Sequence, residues 1–505
     1  MGSRRHNPSI HILDDDSLIN MFRLYCPVHL YDNNFYGRIL LGRSWDRERW
    51  WYKLAQVCRR WRYLILGSSS HLGLSLLCTH HTPVTDMLAY SPPLPLIIDH
   101  IDVYPGMSTE DDEKGLLLAL RHRDRVRRIR LMAFPSRLER LIMAVNEEFP
   151  RLEYLYIGAE YKHNVYLALP SACQAPHLRH LALENVALPV GSPLLTTAAG
   201  LVTLSLIWIP PSVYFHPNDF LGLISHMPKL EALRITFNSP VPNGDVERHL
   251  LLTPVTTHVT LDYLRWFVFG GVSAYLEAVL PRMTIPLLEK FEIEFSNQLT
   301  FAVPCLLKFM LTAENFKFSS AKFKFDKEEA TVSVYPRRAV CAHTFYMQIY
   351  CRRFDEQVSF VAQIFDVLGP IFSEVDHLTL TLDYESYNPW HHEAGRSQWR
   401  KLFRSFNNVK TLCVNNDNGL VSGSELSRFL WLDGEPPLEL LPMLKELTCP
   451  LDIEPEIPDD PFTPETVNSG DPFTAFIDAR RIAGHPVVLA RKRRLFRRRI
   501  VRWAA

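Results

Sequence analysis

Glycine is scarce, 21 in 505 residues, and no stretch reads as G-x-G-x-x-G or as a P-loop. Phosphate-cradling turns need glycine's backbone freedom, so nucleotide chemistry of those kinds has no seat here. HExxH is missing too, and GSSSH at 67–71 lacks the second glycine of a nucleophile elbow. The nearest approaches to a metal cluster are His80-His81 and His391-His392-Glu393. Adjacent histidines diverge by about 100° on a helix and point oppositely on a strand, so these read as surface or loop residues. Nine cysteines, at 26, 58, 78, 173, 305, 341, 351, 413 and 449, form no CxxC. An odd, dispersed set suits reduced thiols inside a cell. No metal, cofactor or small-molecule substrate is expected, and an enzyme is the weakest reading.

Excess charge of either sign is also absent: Lys+Arg and Asp+Glu are 55 each. That removes the broad basic surface of a dedicated DNA-binding protein. MGSRRHNPSIHILDDD has no apolar run long enough for a signal peptide. WFVFGGVSAYLEAVL (266–280) is shorter than a membrane span and carries Glu277. The expectation is a soluble protein of the cytoplasm or nucleus.

What the chain does have is apolar content, 47%, and 36 prolines. Its clearest regularity is Φ-x-x-Φ-x-Φ, where Φ is apolar. VRRIRL (126–131) returns as LEYLYI (152–157), LRHLAL (178–183), LVTLSL (201–206) and LEALRI (230–235), at spacings of 26, 26, 23 and 29. THVTL (257–261) is a poorer copy. LEKFEI (288–293), VDHLTL (375–380), VKTLCV (409–414) and LKELTC (444–449) follow, the last two spacings being 34 and 35.

A proline often stands just upstream, as in FPRLEYL and MPKLEAL. Each unit therefore reads as helix, proline stop and short strand. In 138–157 the helical stripe is Leu138, Leu141, Ile142 and Val145. Such periods mark leucine-rich-repeat-like solenoids, in which stacking builds the core and leaves a concave parallel sheet. Regularity is weakest at 300–370, where KFKFDKEEATVSVYP reads as alternating strands. Residues 451–472 are acidic and proline-rich, a loop, and FTAFIDARRIAGHPVVL fits a last helix and strand.

The first 66 residues are a different module. Asp14, Asp15 and Asp16 suit a helix N-terminus, and Leu18, Ile19 and Phe22 give its apolar face. Glu110-Asp111-Asp112-Glu113 likewise precedes a helical pattern. After a loop from Tyr25 to Arg43, WDRERWWYKLAQVCRRWRYLI predicts one longer helix stopped at Gly67. Leu54, Val57, Cys58, Trp61, Leu64 and Ile65 would share one side of it.

Leu13, Leu18, Ile19 and Phe22, followed by L-x-x-V-C-R-x-W-R-x-L from Leu54 to Leu64, resemble an F-box. RERWWYKL through VCRRWRYLILGSSS, with LPLIID (94–99), is similar to F-box-like proteins abundant in mushroom-forming fungi, whose head precedes a leucine-rich-repeat-like body. The family's Leu-Pro opening is Leu13-Asp14 here, and an insertion occupies about 25–45. The resemblance implies a Skp-family adaptor held by Leu13, Leu18, Ile19, Phe22, Leu54, Val57, Trp61 and Leu64. It also implies a link to a cullin–RING ubiquitin ligase, and a target protein on the solenoid.

The expected fold is thus α/β: a helical module over 10–66, a connector over 67–94, and an irregular solenoid over 95–490. A basic tail, 491–505, follows. Arg491, Lys492, Arg493, Arg494, Arg497, Arg498 and Arg499 give it three possible roles: nuclear import, an anionic membrane surface, or nucleic acid. Two further readings stay open: a scaffold of the same shape with a degenerate F-box and no ligase link, and a protein that acts through its tail.

Overall fold

The computed structural model describes residues 13–26, 49–80, 82–102, 104, 108–160, 166–189, 191–238, 254–296, 298–313, 315–336, 343–383, 393–416, 430–431, 436–450 and 473–492. The chain is a mixed α/β protein of two units, Met1–Val213 and Tyr214–Ala505. Each unit carries a largely parallel sheet, and neither sheet closes into a barrel.

In the first unit six strands lie side by side in chain order: β1 (Leu76–Thr79), β2 (Leu96–Asp102), β3 (Val126–Ala133), β4 (Tyr154–Ala159), β5 (His180–Glu184) and β6 (Thr203–Ile209). All five pairings are parallel. The repeated motif explains the register. Its first apolar residue lies two positions before the strand in β4, β5 and β6 and opens the strand in β3, and the next two point to one face. Ile98, Ile129, Leu155, Leu181 and Leu204 are therefore aligned across five strands, and each is fully buried. At about 1.5–3 kcal/mol per buried aliphatic side chain, such a ladder outweighs the weak propensities of strands this short.

The predicted helical stripe Leu138, Leu141, Ile142 and Val145 is buried as well. Prolines do more than stop helices: Pro135, Pro193, Pro217 and Pro304 each open one. That position needs no N–H donor and suits proline's fixed φ.

The second unit begins the same way, with β7 (Ala232–Phe237), β8 (Trp266–Gly271) and β9 (Lys290–Ser296). The repeat expected at THVTL is displaced. Only Val259–Thr260 is extended there, paired with Met283–Thr284 away from the main sheet. The strand is β8, and Leu264-x-x-Phe267-x-Phe269 supplies the motif; all three residues are buried. Phe267 lies between Leu233 and Phe291 in register.

Order then reverses. β10 (Phe318–Asp326), β11 (Glu329–Pro336) and β12 (Phe345–Tyr350) form an antiparallel meander. β12, not β10, sits parallel beside β9. β10 in turn accepts β13 (His377–Asp383) in parallel. β14 (Thr411–Asn416), β15 (Glu446–Pro450) and β16 (Val488–Lys492) complete the sheet. The 300–370 region thus stays within the sheet but replaces a parallel step by a three-strand detour. A helix over Thr474–Ile482 precedes β16, as the last helix-and-strand pattern predicted.

No described helix is long and apolar enough to cross a membrane. Of the tail, Arg491 and Lys492 belong to β16; Arg493, Arg494, Arg497, Arg498 and Arg499 lie outside the described residues, as does the acidic loop 451–472.

Candidate functional site

Three regions carry the side chains that matter: the N-terminal helices, and the polar sheet face of each unit. The N-terminal helices are α1 (Asp15–Tyr25), α2 (Trp50–Ala55) and α3 (Arg59–Gly67). Asp14 caps α1, its carboxylate accepting from the Ser17 N–H at 2.7 Å. The single long helix expected over WDRERWWYKLAQVCRRWRYLI is two. Cys58 is extended at φ −159° and ψ 170° and caps α3, its Sγ accepting from the Trp61 N–H at 3.4 Å. A sulfur cap is weak and leaves little sequence signal. Arg62 Nε donates to the Ala55 carbonyl at 3.0 Å and closes the end of α2.

The break redistributes the apolar stripe. Leu18, Phe22, Trp61 and Leu64 are buried in the module's own core. Trp61 meets Phe22 edge to face at 4.9 Å. Ile19 and Leu54 are half-buried, whereas Leu13 and Val57 are exposed, Val57 by 59%. Leu24, Tyr25 and Tyr63 are exposed as well. Arg60 ties the helices together, donating to Asp15 Oδ1 and to the Leu13 carbonyl, both at 2.7 Å. Trp51 Nε1 donates to the Ser75 carbonyl at 3.3 Å, anchoring α2 beside β1.

Alternate strand residues of the first unit form its polar face, and this face is closed. Arg130 makes a bidentate pair with Asp99 at 2.5 and 2.7 Å. The Tyr156 hydroxyl donates to Glu184 Oε2 at 2.7 Å, and burial drives its pKa far up, with Glu184 pushing the same way. His180 Nδ1 and Thr203 Oγ1 are 3.0 Å apart. Burial, then Arg179 and Arg128, lower the His180 pKa to about 4. Arg130, Tyr156 and Ser205 are at most 3% exposed. Gly158 is required by this packing, because a Cβ there would lie 2.7 Å from the Tyr156 hydroxyl.

A polar group that no sequence motif marks gathers at the end of β2; His81 lies outside the described residues. Asp102 pairs with Arg137 and accepts from Ser108 Oγ at 2.9 Å. His100 lies nearby, 1% exposed, its pKa lowered by burial against the opposing pull of Asp102. No histidine bridges serine and aspartate, and Ser108, Asp102 and His100 are all buried. The group pins two connections to β2 rather than offering a nucleophile.

The polar face of the second unit is reachable at its Tyr350 end, where Tyr350 is 45% exposed, although Glu292 on the same face is buried. Tyr346, Gln348 and Tyr350 alternate along one side of β12. Glu292, Glu294 and Ser296 stand opposite them on β9, and Ser333, Thr331 and Glu329 on β11. Arg234 reaches across β8 to Glu294 at 3.0 Å. Gly270 lies at the level of Glu294 with no side chain in the way. Lys290 Nζ bonds Glu292 at 2.9 Å and sits 4.7 Å from the Trp266 ring centroid.

Burial would raise the Glu292 pKa, but bonds from His343 and Lys290 outweigh it and hold it low. Glu294 is raised by burial, which Arg234 only partly offsets. Burial raises Glu329 too, against its bond from Gln348 Nε2 and with Asp326 adding to the rise. Tyr350 is pushed to about 12 by burial and then by Glu294 and Glu329.

Among the described residues no group of three or more His, Cys, Asp or Glu side chains is arranged to hold a metal. No known protein family matches this sequence, and no curated protein matches it either.

Proposed function

We propose that this chain is a non-catalytic receptor: an F-box-like head holds a Skp-family adaptor of a cullin–RING ubiquitin ligase, and an irregular leucine-rich-repeat-like body holds a target protein. The observation that carries the reading is the division of the VCRRWR region. Trp61 and Leu64 are committed to the head's own core, while Val57, Leu13, Leu24 and Tyr63 stay on its surface. Three short helices expose these apolar side chains together with an arginine-rich surface, a combination suited to a partner. The receptor's contribution is proximity: it raises the concentration of a target's lysines near the ligase.

The test is co-purification with a Skp-family adaptor. Val57→Asp is expected to abolish adaptor binding while leaving the fold intact. Wild-type binding with Val57→Asp unaffected, or no adaptor with wild type, contradicts the reading. The second outcome favours the alternative, a scaffold with a degenerate F-box. One feature of the sequence already supports that alternative: Asp14, at the position of the family's proline, is occupied in capping α1.

A further inference from the structure

The target's chemistry can be read one step further, on the reading that the body holds a target protein. On the second unit's sheet, the β12 column Tyr346–Gln348–Tyr350 runs between carboxylates, with Glu292 and Glu294 on one side and Glu329 on the other. Small side chains fill the remaining flanking positions: Ser296, Thr331 and Ser333. The acids thus flank a trough of negative potential, with two tyrosines along its middle. Strand spacing puts the β9 and β11 walls roughly 10 Å apart, the width of one extended side chain laid across the face.

Charge in this trough is unevenly compensated. Glu292 has Lys290 and His343, and Glu294 has Arg234. Glu329 accepts from an uncharged amide, Gln348 Nε2, and among the described residues makes no ion pair. The groups acting on the Tyr346 hydroxyl besides burial are Glu329, Glu294, Tyr350 and Glu292, all pushing its pKa up. A guest cation would therefore be attracted, and a guest anion repelled. Tyr350 is 45% exposed, so the trough is reachable. The molecule already uses the same combination once on this face, where Lys290 sits over Trp266 and bonds Glu292.

We infer that the trough over β9, β12 and β11 docks an arginine-bearing segment of the target protein, with the guanidinium against Tyr350 and its N–H groups on Glu329. Arginine is favoured over lysine because a planar guanidinium both stacks on a phenol ring and forks onto a carboxylate. Lysine offers a compact, strongly hydrated charge that does neither as well.

The probe is a fluorescein-labelled extended peptide with three arginines spaced by glycine, titrated into the full chain and read by anisotropy. Matched lysine and glutamate peptides are run beside it. The arginine peptide is expected to bind more tightly than the lysine peptide, with no binding of the glutamate peptide. Glu329→Gln, which leaves the Arg234–Glu294 pair intact, is expected to weaken arginine binding at least tenfold with an unchanged melting temperature. Glu139→Gln, an exposed helical position in the first unit, should change nothing. Wild-type affinity in Glu329→Gln, equal binding of the lysine peptide, or an equal loss in Glu139→Gln overturns the inference. The adaptor test is separate: loss of the ligase reading leaves this trough and its peptide binding untouched, and failure here leaves adaptor binding intact.

Discussion

The two units share a motif and a strand geometry, yet they treat the alternate face of their sheets in opposite ways. In the first, Asp99 with Arg130 and Tyr156 with Glu184 are satisfied pairs sealed from solvent. In the second, Glu294 and Glu329 sit on a reachable face with pKa values raised by burial and by neighbouring acids. Charges buried as a pair specify and hold a structure, because removing one partner is costly. Charges left half-compensated at a surface contribute little stability and are free to serve a partner. The repeat motif builds both sheets; the second is the one on which we propose that a target docks.

The largest expected effects come from breaking the sealed side. Asp99→Ala removes the bidentate partner of Arg130 and should cost about 3–5 kcal/mol in chemical denaturation. In the head, Trp61→Ala should cost a similar amount, about 3–5 kcal/mol, because Trp61 fills the core against Phe22. Loss of adaptor in that variant would therefore report unfolding, whereas Val57→Asp isolates the surface.

Gly158→Ala is the next step down. Its methyl group must displace the Tyr156 hydroxyl from Glu184, at about 1–3 kcal/mol. Acid should sharpen the contrast further. His180 has its folded-state pKa lowered to about 4, so its contribution is present above the unfolded value and is lost as pH falls toward 4. The first unit should lose about 2–3 kcal/mol between roughly pH 6.5 and 4. His180→Asn should flatten that slope, as urea midpoints across the range would reveal.

The smallest effect is expected on the open side. A raised carboxylate stabilises the fold below its unfolded pKa and loses that contribution as pH rises through its folded pKa, so neutralising Glu329 at pH 7 relieves a strain. Glu329→Gln should leave stability within about 1 kcal/mol of wild type or raise it slightly.

Much of this was legible in the residues. LEYLYI, LRHLAL and LVTLSL place three strands and their buried faces, because two residues in each motif must point the same way. LRWFVF (264–269) carries the same motif, but its third position is the apolar Trp266, so it merges into the long apolar run 266–280 instead of standing out as a repeat. The reversed order of β10, β11 and β12 depends on which strands pair across the sheet, and local alternation does not encode that. The break at Cys58 was hidden because the 3.6-residue stripe continues across it, from Leu54 to Trp61. Arg130, Arg234, Glu292 and Glu294 occupy the motif's alternate positions and were visible as polar. Their division into a sealed face and an open one depends on neighbours distant in sequence.

Hydroxyl-radical footprinting of the intact chain, read residue by residue by mass spectrometry, tests that division most directly. Tyr350 should be oxidised at least tenfold faster than Tyr156, and the arginine peptide should protect Tyr350 while leaving Tyr156 unchanged. Equal rates at the two tyrosines, or a Tyr350 rate that the bound peptide does not alter, would contradict an open, ligand-binding face in the second unit.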